Sequence, residues 1–501
     1  MNQFGLARDK INQFMATKYY PIVIAAMGLL CHLFGLEYIY FTVITLLLVY
    51  VSVFNGNGLR IVPLVLISLI ALSRVNTSYV WISELETFVQ GTAGTVYVSI
   101  LTAIGGMALA WMCVKTAVVR VKEYRISLAN RPKDISPDKS KEKKPWTLQL
   151  RKKQNIYIGL IAMSAVYILG GLFFPGFNPG GLLFSFALAA IVLVGFVIFD
   201  FSVKWDKDSM NFICDCFAAM LAVIVIQMLW MYIDSEPLHY AIINTPWNIK
   251  SYVFLGWSPS NHIAIFITLI LPFVMYRMFT ARRAIVYFCI SYAAIFAIVL
   301  TFSRNAILFG IPMFAGLSLW ALIKARDKKT LRIAYVAALA LTVVIMLIFL
   351  EQLEQLSEWF SRMGLSDSGR FDLFRLAWEH FLQAPIFGVG LGYLTGEGRI
   401  GFGVYHNHIL QFLASLGLVG LGAYIFHRYQ TVRLLINKPD LINIFAFVSL
   451  GMFVATSILD ITLFAPMTMA LYPIVMLILS RNQPDFGQKQ NVPIGICTTQ
   501  K

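Results

Sequence analysis

From residue 20 to residue 479 the chain is a succession of apolar runs, most of them long enough to cross a hydrocarbon core of about 30 Å, separated by shorter polar segments. That pattern constrains the fold more than any motif does. The runs fall near residues 20–36, 38–54, 59–74, 95–118, 156–174, 181–203, 210–233, 262–278, 284–302, 306–323, 331–350, 407–426, 441–459 and 463–479. With 58% hydrophobic and 13% charged residues, a 501-residue chain lacks the polar surface a soluble protein needs. The expectation is an all-α polytopic membrane protein of about 14 transmembrane helices with a large extracytoplasmic helical loop. The first run follows a short basic segment and meets no small-residue cleavage site, so it is read as a span.

The spans divide the chain into residues 1–118 (helices one to four), a basic loop at 119–153, residues 154–350 (helices five to eleven), a large loop at 351–405, residues 406–480 (helices twelve to fourteen) and a tail at 481–501. The 119–153 segment has too little apolar content to fold alone. Lysine and arginine set the orientation. With both termini cytoplasmic, the outer face keeps Arg74, Lys250, Arg304, Arg362, Arg370, Arg375 and Arg399 out of the 40 basic residues. The net charge of +15 therefore belongs to the inner face. Nucleic acid is excluded as a partner, and the 119–153 loop either meets anionic membrane lipids or is simply solvated.

The outer loop and its flanks gather the polar groups. Arg304 lies in TFSRN, a tight turn between two apolar runs, where it either takes a ligand or snorkels beside an acid. Phe371, Phe374, Trp378, Phe381 and Leu382 recur at helical spacing, as do Leu353, Leu356, Trp359, Phe360 and Met363, which predicts two amphipathic helices on the outer leaflet. Arg370 falls in the first turn of the later one; Arg375 is four residues from Glu379 and fits an ordinary ion pair. The stretch PIFGVGLG, residues 385–392, has no strand and helix around it to make a dinucleotide site, and its glycines suit a tight turn or a close backbone approach. His406 and His408, two residues apart, point away from one another and make a poor metal pair. One fits a base or hydrogen-bond donor, the other a helper or a headgroup contact. The six cysteines, nearly all in or beside apolar runs, suit packing rather than disulfides.

Four segments in order carry a resemblance: SPSNHIAIFITLILP, TFSRNAILFG, SGRFDLFRLAWEHFLQAPIFGVGLGY and HNHILQFLASLGLVGLGAY. Together they resemble the O-antigen ligase and O-antigen (polysaccharide) polymerase superfamily of bacterial membrane glycosyltransferases. The resemblance implies a membrane-glycosyltransferase fold in the bacterial cytoplasmic (inner) membrane, with residues 351–405 as the catalytic loop. It implies an undecaprenyl-pyrophosphate-linked glycan as donor, a glycan or lipid-linked acceptor, and inverting transfer with no cofactor and no metal. It places His406, Arg304 and Arg370 in catalysis, with Asn407, His408, Arg375 and Asn261 as supporting substrate-binding groups. The chemistry of the side chains agrees: arginine forks suit a pyrophosphate leaving group, and a histidine can take a hydroxyl proton at neutral pH. The competing class is a lipid-linked oligosaccharide flippase or other transporter, which would place charge along a central path through the bundle.

Overall fold

A computed structural model describes residues 3–71, 92–129, 145–172, 179–205, 208–245, 249–325, 327–348, 370–391, 405–437, 440–460, 462–464 and 466–481. Helices α1 (Gln3–Met15), α2 (Tyr19–Leu33) and α3 (Glu37–Tyr50) open the chain, followed by short helical turns to Ala71. Next come α4 (Thr92–Ala129), α5 (Pro145–Leu172), α6 (Pro179–Ala189), α7 (Gly195–Ser202), α8 (Ser209–Asp234), α9 (Glu236–Asn244) and α10 (Ile249–Tyr252). A two-residue hairpin, β1 (Phe254–Leu255) with β2 (Ser258–Pro259), leads into α11 (Ser260–Thr280), α12 (Ala284–Leu300), α13 (Arg304–Lys324) and α14 (Lys328–Ile348). The chain then runs through α15 (Arg370–Gln383), α16 (His408–Asn437), α17 (Leu441–Ser457) and α18 (Pro466–Arg481).

This is an all-α membrane protein apart from that hairpin. Among the described residues eight helices are long and apolar enough to cross a membrane, or nine if α1 and α2, bent by 86°, count as one; five shorter apolar helices accompany them. The expected runs near 59–74, 156–174, 284–302, 441–459 and 463–479 correspond to those shorter helices. The basic stretch differs from its reading as a bare loop. Helix α4 continues through Ala129 and α5 begins at Pro145, because a helix leaving the membrane can carry charged residues on its hydrated turns. Residues 130–144, Arg74, Arg362, Arg399 and the first amphipathic helix of the outer loop lie outside the described residues.

Helix α11 is the central post, 83% buried over its apolar stretch, against 11% for α14 on the outside of the bundle. Ser449 on α17 donates to the Leu269 carbonyl of α11 at 2.6 Å, so the two backbones approach closely without an unpaired hydroxyl. At one end of the bundle Arg277 Nε meets Asp215 Oδ1 at 2.9 Å, its Nη1 donates to Asn211 at 2.6 Å, and Tyr287 donates to Asp215 at 2.6 Å. This network joins α8, α11 and α12 with each charge partnered, as a buried ion pair requires. The opposite end gathers the starts of α11, α13 and α16 and the end of α17. There Asn305 Nδ2 donates to Thr456 O (2.8 Å) and Asn407 Nδ2 to Ile458 O (3.0 Å).

The expected span at 407–426 is not a single rod. Phe412 stacks on Tyr424 with ring centroids 4.8 Å apart, and His408 lies 4.9 Å from the same ring. In a straight helix residues 408 and 424 would be about 24 Å apart, so the chain folds back at Gly417, whose φ of 65° and ψ of −163° are non-helical. Residues 418–437 remain to cross, and 20 residues make about 30 Å of helix.

A break of this kind frees backbone groups, and the glycine-rich segment satisfies them. Val389 and Gly390 donate to Ala414 O (2.8 Å) and Ser415 O (3.1 Å), while Leu418 and Val419 donate to Pro385 O (2.9 Å) and Ile386 O (3.1 Å). The close approach expected of these glycines is therefore to another stretch of backbone, in line with the rule that irregular backbone at membrane depth must be paired. Gly417 occupies a conformation nearly restricted to glycine, and a Cβ there would collide with the Ile386 carbonyl and Phe387 N. Gly417→Ala is expected to destabilise the protein by at least about 1–3 kcal/mol, read as a lower thermal midpoint and loss of monodisperse protein. Gly422→Ala, where a Cβ meets nothing within 4 Å, should behave as wild type; equal behaviour of the two variants would contradict the strap.

Candidate functional site

The site is assembled from element ends. Lys250 sits on the one-turn α10, His262 in the first turn of α11, Arg304 and Arg370 at the first residues of α13 and α15, His406 just before α16, and Asp460 just after α17. Backbone N–H groups at the first turn of a helix have no intrahelical acceptor and carry partial positive charge. Arginines at two such starts, with a lysine beside them, add to that potential, and the result suits an anion.

Local backbone makes this possible. Among the described residues only Phe302 (φ 52°) and His406 (φ 48°) are non-glycine residues with positive φ. Both flank the site. At Phe302 the turn that presents Arg304 is closed by Thr301 Oγ1, which donates to Ile298 O (2.6 Å) and accepts from Ser303 N (3.2 Å). At His406 the chain must send Tyr405 inward and Asn407 onto the helix. Tyr405 is 1% exposed and bonded to His380 Nδ1 at 2.6 Å; its N–H donates to Gln411 Oε1 at 3.1 Å. Asn407 Oδ1 accepts from Leu410 N at 3.0 Å and so caps α16. Such outliers persist only where surrounding structure holds them, and they concentrate at functional sites.

The Asp460 carboxylate, 3% exposed, lies between two imidazoles: His406 Nδ1 and His262 Nε2 are each 3.6 Å from its Oδ1. Burial alone would raise the Asp460 pKa, but the bonding and charge of His262 and His406 outweigh it and hold the carboxyl well below the usual range. At 3.6 Å the contacts are longer than short hydrogen bonds, and they are ion pairs only when an imidazole is protonated. His406 Nδ1 is sealed from solvent while the side chain as a whole is 35% exposed, which turns the Nε2 edge to the open side. Lys250 is pushed down to about 8, first by burial and then by the charges of Arg370 and Arg304, with Asp460 opposing. Those electrostatic contacts bring Lys250, Arg304, Arg370 and Asp460 into one field.

The residues singled out in the sequence separate into groups. His406, Arg304 and Arg370 belong to the assembly. Asn261 is half-buried beside His262 in the first turn of α11. Asn407 acts on the fold, as cap and as tether to α17. His408 is 1% exposed and walled in by Phe412, Tyr424, Phe453 and Phe464; its surroundings are packing. Arg375 pairs with Glu379 at 3.3 Å on an open face, 81% exposed, as its four-residue spacing predicts. Sequence reasoning named Lys250 only as one of the seven outer basic residues and gave no role to His262 or Asp460. Asp460 had one signal, a lone acid between two apolar runs and thus a natural partner for a nearby histidine. Among the described residues no group of three or more His, Cys, Asp or Glu has metal-binding geometry. Both imidazoles face the same carboxylate oxygen.

Arginines, a lysine and a carboxylate-held histidine at one end of a multi-pass helical bundle are groups that can hold an anion beside a proton acceptor. Residues 288–425 match the family model described as O-Antigen ligase, a match that supports membership of the O-antigen ligase and polymerase superfamily. The match includes Arg304, Arg370, Arg375, His406, Asn407 and His408, whereas Lys250, Asn261, His262 and Asp460 lie outside it. No curated protein matches the chain at a significant level. Family and helices together make it a multi-pass protein of the bacterial inner membrane, a glycosyl-transferring enzyme with an O-antigen ligase-like role in polysaccharide biosynthesis.

Proposed function

We propose that the protein transfers a glycan from an undecaprenyl-pyrophosphate carrier to an acceptor sugar hydroxyl on the outer face of the cytoplasmic membrane, as a polysaccharide polymerase or ligase. The observation that carries this is the meeting of Lys250, Arg304 and Arg370 with His406 held by Asp460. The acceptor O–H attacks the anomeric carbon; the bond from that carbon to the pyrophosphate oxygen breaks, and single displacement inverts the configuration. The hydroxyl proton passes to His406 Nε2, and the imidazolium so formed is stabilised by Asp460 across Nδ1–H. The charge released on the pyrophosphate is met by the arginine forks and Lys250, which supply without a metal the stabilisation the leaving group needs. His262 is a second partner of the carboxylate and helps keep Asp460 ionised.

The transporter alternative gains little support. Asp200 accepts from Tyr157 at 2.6 Å and Asp215 is locked to Arg277, so both acids that lie within spans are engaged. The two classes separate in cells lacking the protein: failed transfer leaves lipid-linked units on the outer leaflet, whereas failed transport leaves them on the inner one. Inner-leaflet accumulation would overturn the enzyme reading. Orientation has its own check. A cysteine at Ser140 is expected to stay unlabelled in intact cells and one at Gly396 to react; the reverse would put the site on the wrong face for exported glycan.

Lys250 gives a pH signature. Its charge is lost as pH rises through about 8, so the KM for the donor is expected to rise severalfold from about pH 7 to pH 9, with kcat changing less. Stability moves the other way. Because the folded protein binds fewer protons than the unfolded chain between about 8 and 10.5, this group makes stability increase with pH across that window. Lys250→Met should have a high, pH-independent donor KM there; a wild-type inflection retained in that variant would remove Lys250 from donor binding.

A further inference from the structure

The residue that precedes His406 belongs to a different part of the molecule from the open site. Tyr405 is 1% exposed and forms a small core of its own with Ala377 of α15 and Ala414 of α16. Its hydroxyl is bonded to His380 Nδ1 at 2.6 Å, and its N–H donates to Gln411 Oε1 at 3.1 Å. Gln411 Nε2 in turn donates to Ser415 Oγ at 2.9 Å, and the Ser415 carbonyl accepts from Gly390 N of the strap. His380, itself buried, shares the inner face of α15 with Ala377, about one turn further along.

His406 therefore stands between two anchored neighbours. On one side Asn407 caps α16 and is tethered to the Ile458 carbonyl of α17; on the other Tyr405 is held to α15 across 25 residues of chain. With φ at 48°, His406 occupies a region that a residue bearing a Cβ leaves unless its surroundings hold it there. In that conformation its Nδ1 lies 3.6 Å from Asp460 Oδ1. Arg370 opens the same α15 helix, so one element carries a cation of the anion-binding group and, further along, an anchor of the base.

We propose that His380 and Tyr405 are positioning residues for His406: their buried hydrogen bond holds the left-handed turn that sets the imidazole against Asp460, and so couples the helix of Arg370 to the proton acceptor. Neither side chain takes the substrate proton; both act through His406. Loss of the bond frees the backbone at residues 405 and 406 to relax toward an ordinary φ, which carries the ring away from the carboxylate. The effect on transfer rests on the glycosyl-transfer reading, whereas the hold on the turn does not.

Two measurements on the full-length purified protein test it, each made on wild type, Tyr405→Phe, His380→Leu and the double variant. A single variant leaves half of a buried pair behind, whereas the double variant replaces both halves with apolar groups, a change close to neutral for stability. The rate of transfer per folded molecule should fall about 3- to 10-fold in all three at unchanged donor KM, with no further loss in the double variant. A pair that merely supports the fold would give a double variant back at the wild-type rate, and that result would overturn the proposal. The second measurement needs no glycan. Diethyl pyrocarbonate acylates neutral imidazoles, and its rate at His406, followed by peptide mass spectrometry, should rise severalfold in the three variants while the rate at His32 on α2 stays the same. An unchanged rate at His406 would also overturn the proposal. If wild-type protein forms no product yet the His406 rate rises as expected, the transfer reading fails and the hold on the turn stands.

Discussion

His406→Ala is expected to lower the rate of glycan transfer by about 10²–10⁴-fold, the range for loss of a positioned general base, while the donor KM changes little because the cations proposed to hold the pyrophosphate remain. Asp460→Asn should fall in the same direction by less, since an amide keeps the shape beside Nδ1 but not the charge that steadies the imidazolium. His408→Ala is a different kind of change. It removes a ring packed against four aromatics, so the yield of folded protein and its thermal midpoint should drop, with the rate per folded molecule largely kept. Single-turnover rates on detergent-purified protein, normalised to the monodisperse fraction, separate these outcomes. An unimpaired His406→Ala would remove it as the base, and a rate loss confined to His408→Ala would transfer the role to a ring the structure buries.

Arg370→Lys and Arg304→Lys should each reduce kcat/KM about 10- to 150-fold, the equivalent of losing one charge-assisted hydrogen bond of about 1.5–3 kcal/mol. The charge is conserved in both variants, so any loss reports the fork. Lysine offers a point charge where arginine grips two phosphate oxygens in a plane. Combining the two should cost less than the product of the single effects if both contact the same pyrophosphate, because groups in one network do not act additively. By contrast Arg375→Lys, on its exposed face with Glu379, should change kcat/KM by less than about twofold, as expected for a surface ion pair. Product yield against donor concentration measures all four variants.

Much of this was legible from the chain alone, for reasons that differ by residue. Arg304, Arg370 and His406 stand out because each is a polar group at the edge of an apolar run within a motif. The pairing of Arg375 with Glu379 follows from helical spacing. Asp460 and Lys250 carried no such mark, and His262, which opens an apolar run within a motif, showed no partner there, since what joins the three is a contact between segments some 200 residues apart in sequence. The fold-back at Gly417 was hidden because apolar residues continue at helical spacing straight through LASLGLVGLG. Only the stacking of Phe412 on Tyr424 and the strap at residues 385–391 reveal it. The opposite fates of His406 and His408 were half visible. Two residues apart they cannot share a face, but that one is left-handed and open while the other is enclosed by rings depends on where α16 begins.

The site as a catalyst is tested most directly by reconstituting it. Purified protein in detergent, given an undecaprenyl-pyrophosphate-linked glycan and an acceptor glycan, with no nucleotide sugar, is expected to form elongated or ligated product and release undecaprenyl pyrophosphate in equal amount. The same preparation carrying His406→Ala and Arg370→Lys together should form none within the same time. Absence of product from folded wild-type protein, combined with movement of the lipid-linked glycan between leaflets once the protein is placed in vesicles, would contradict the account and make the chain a transporter.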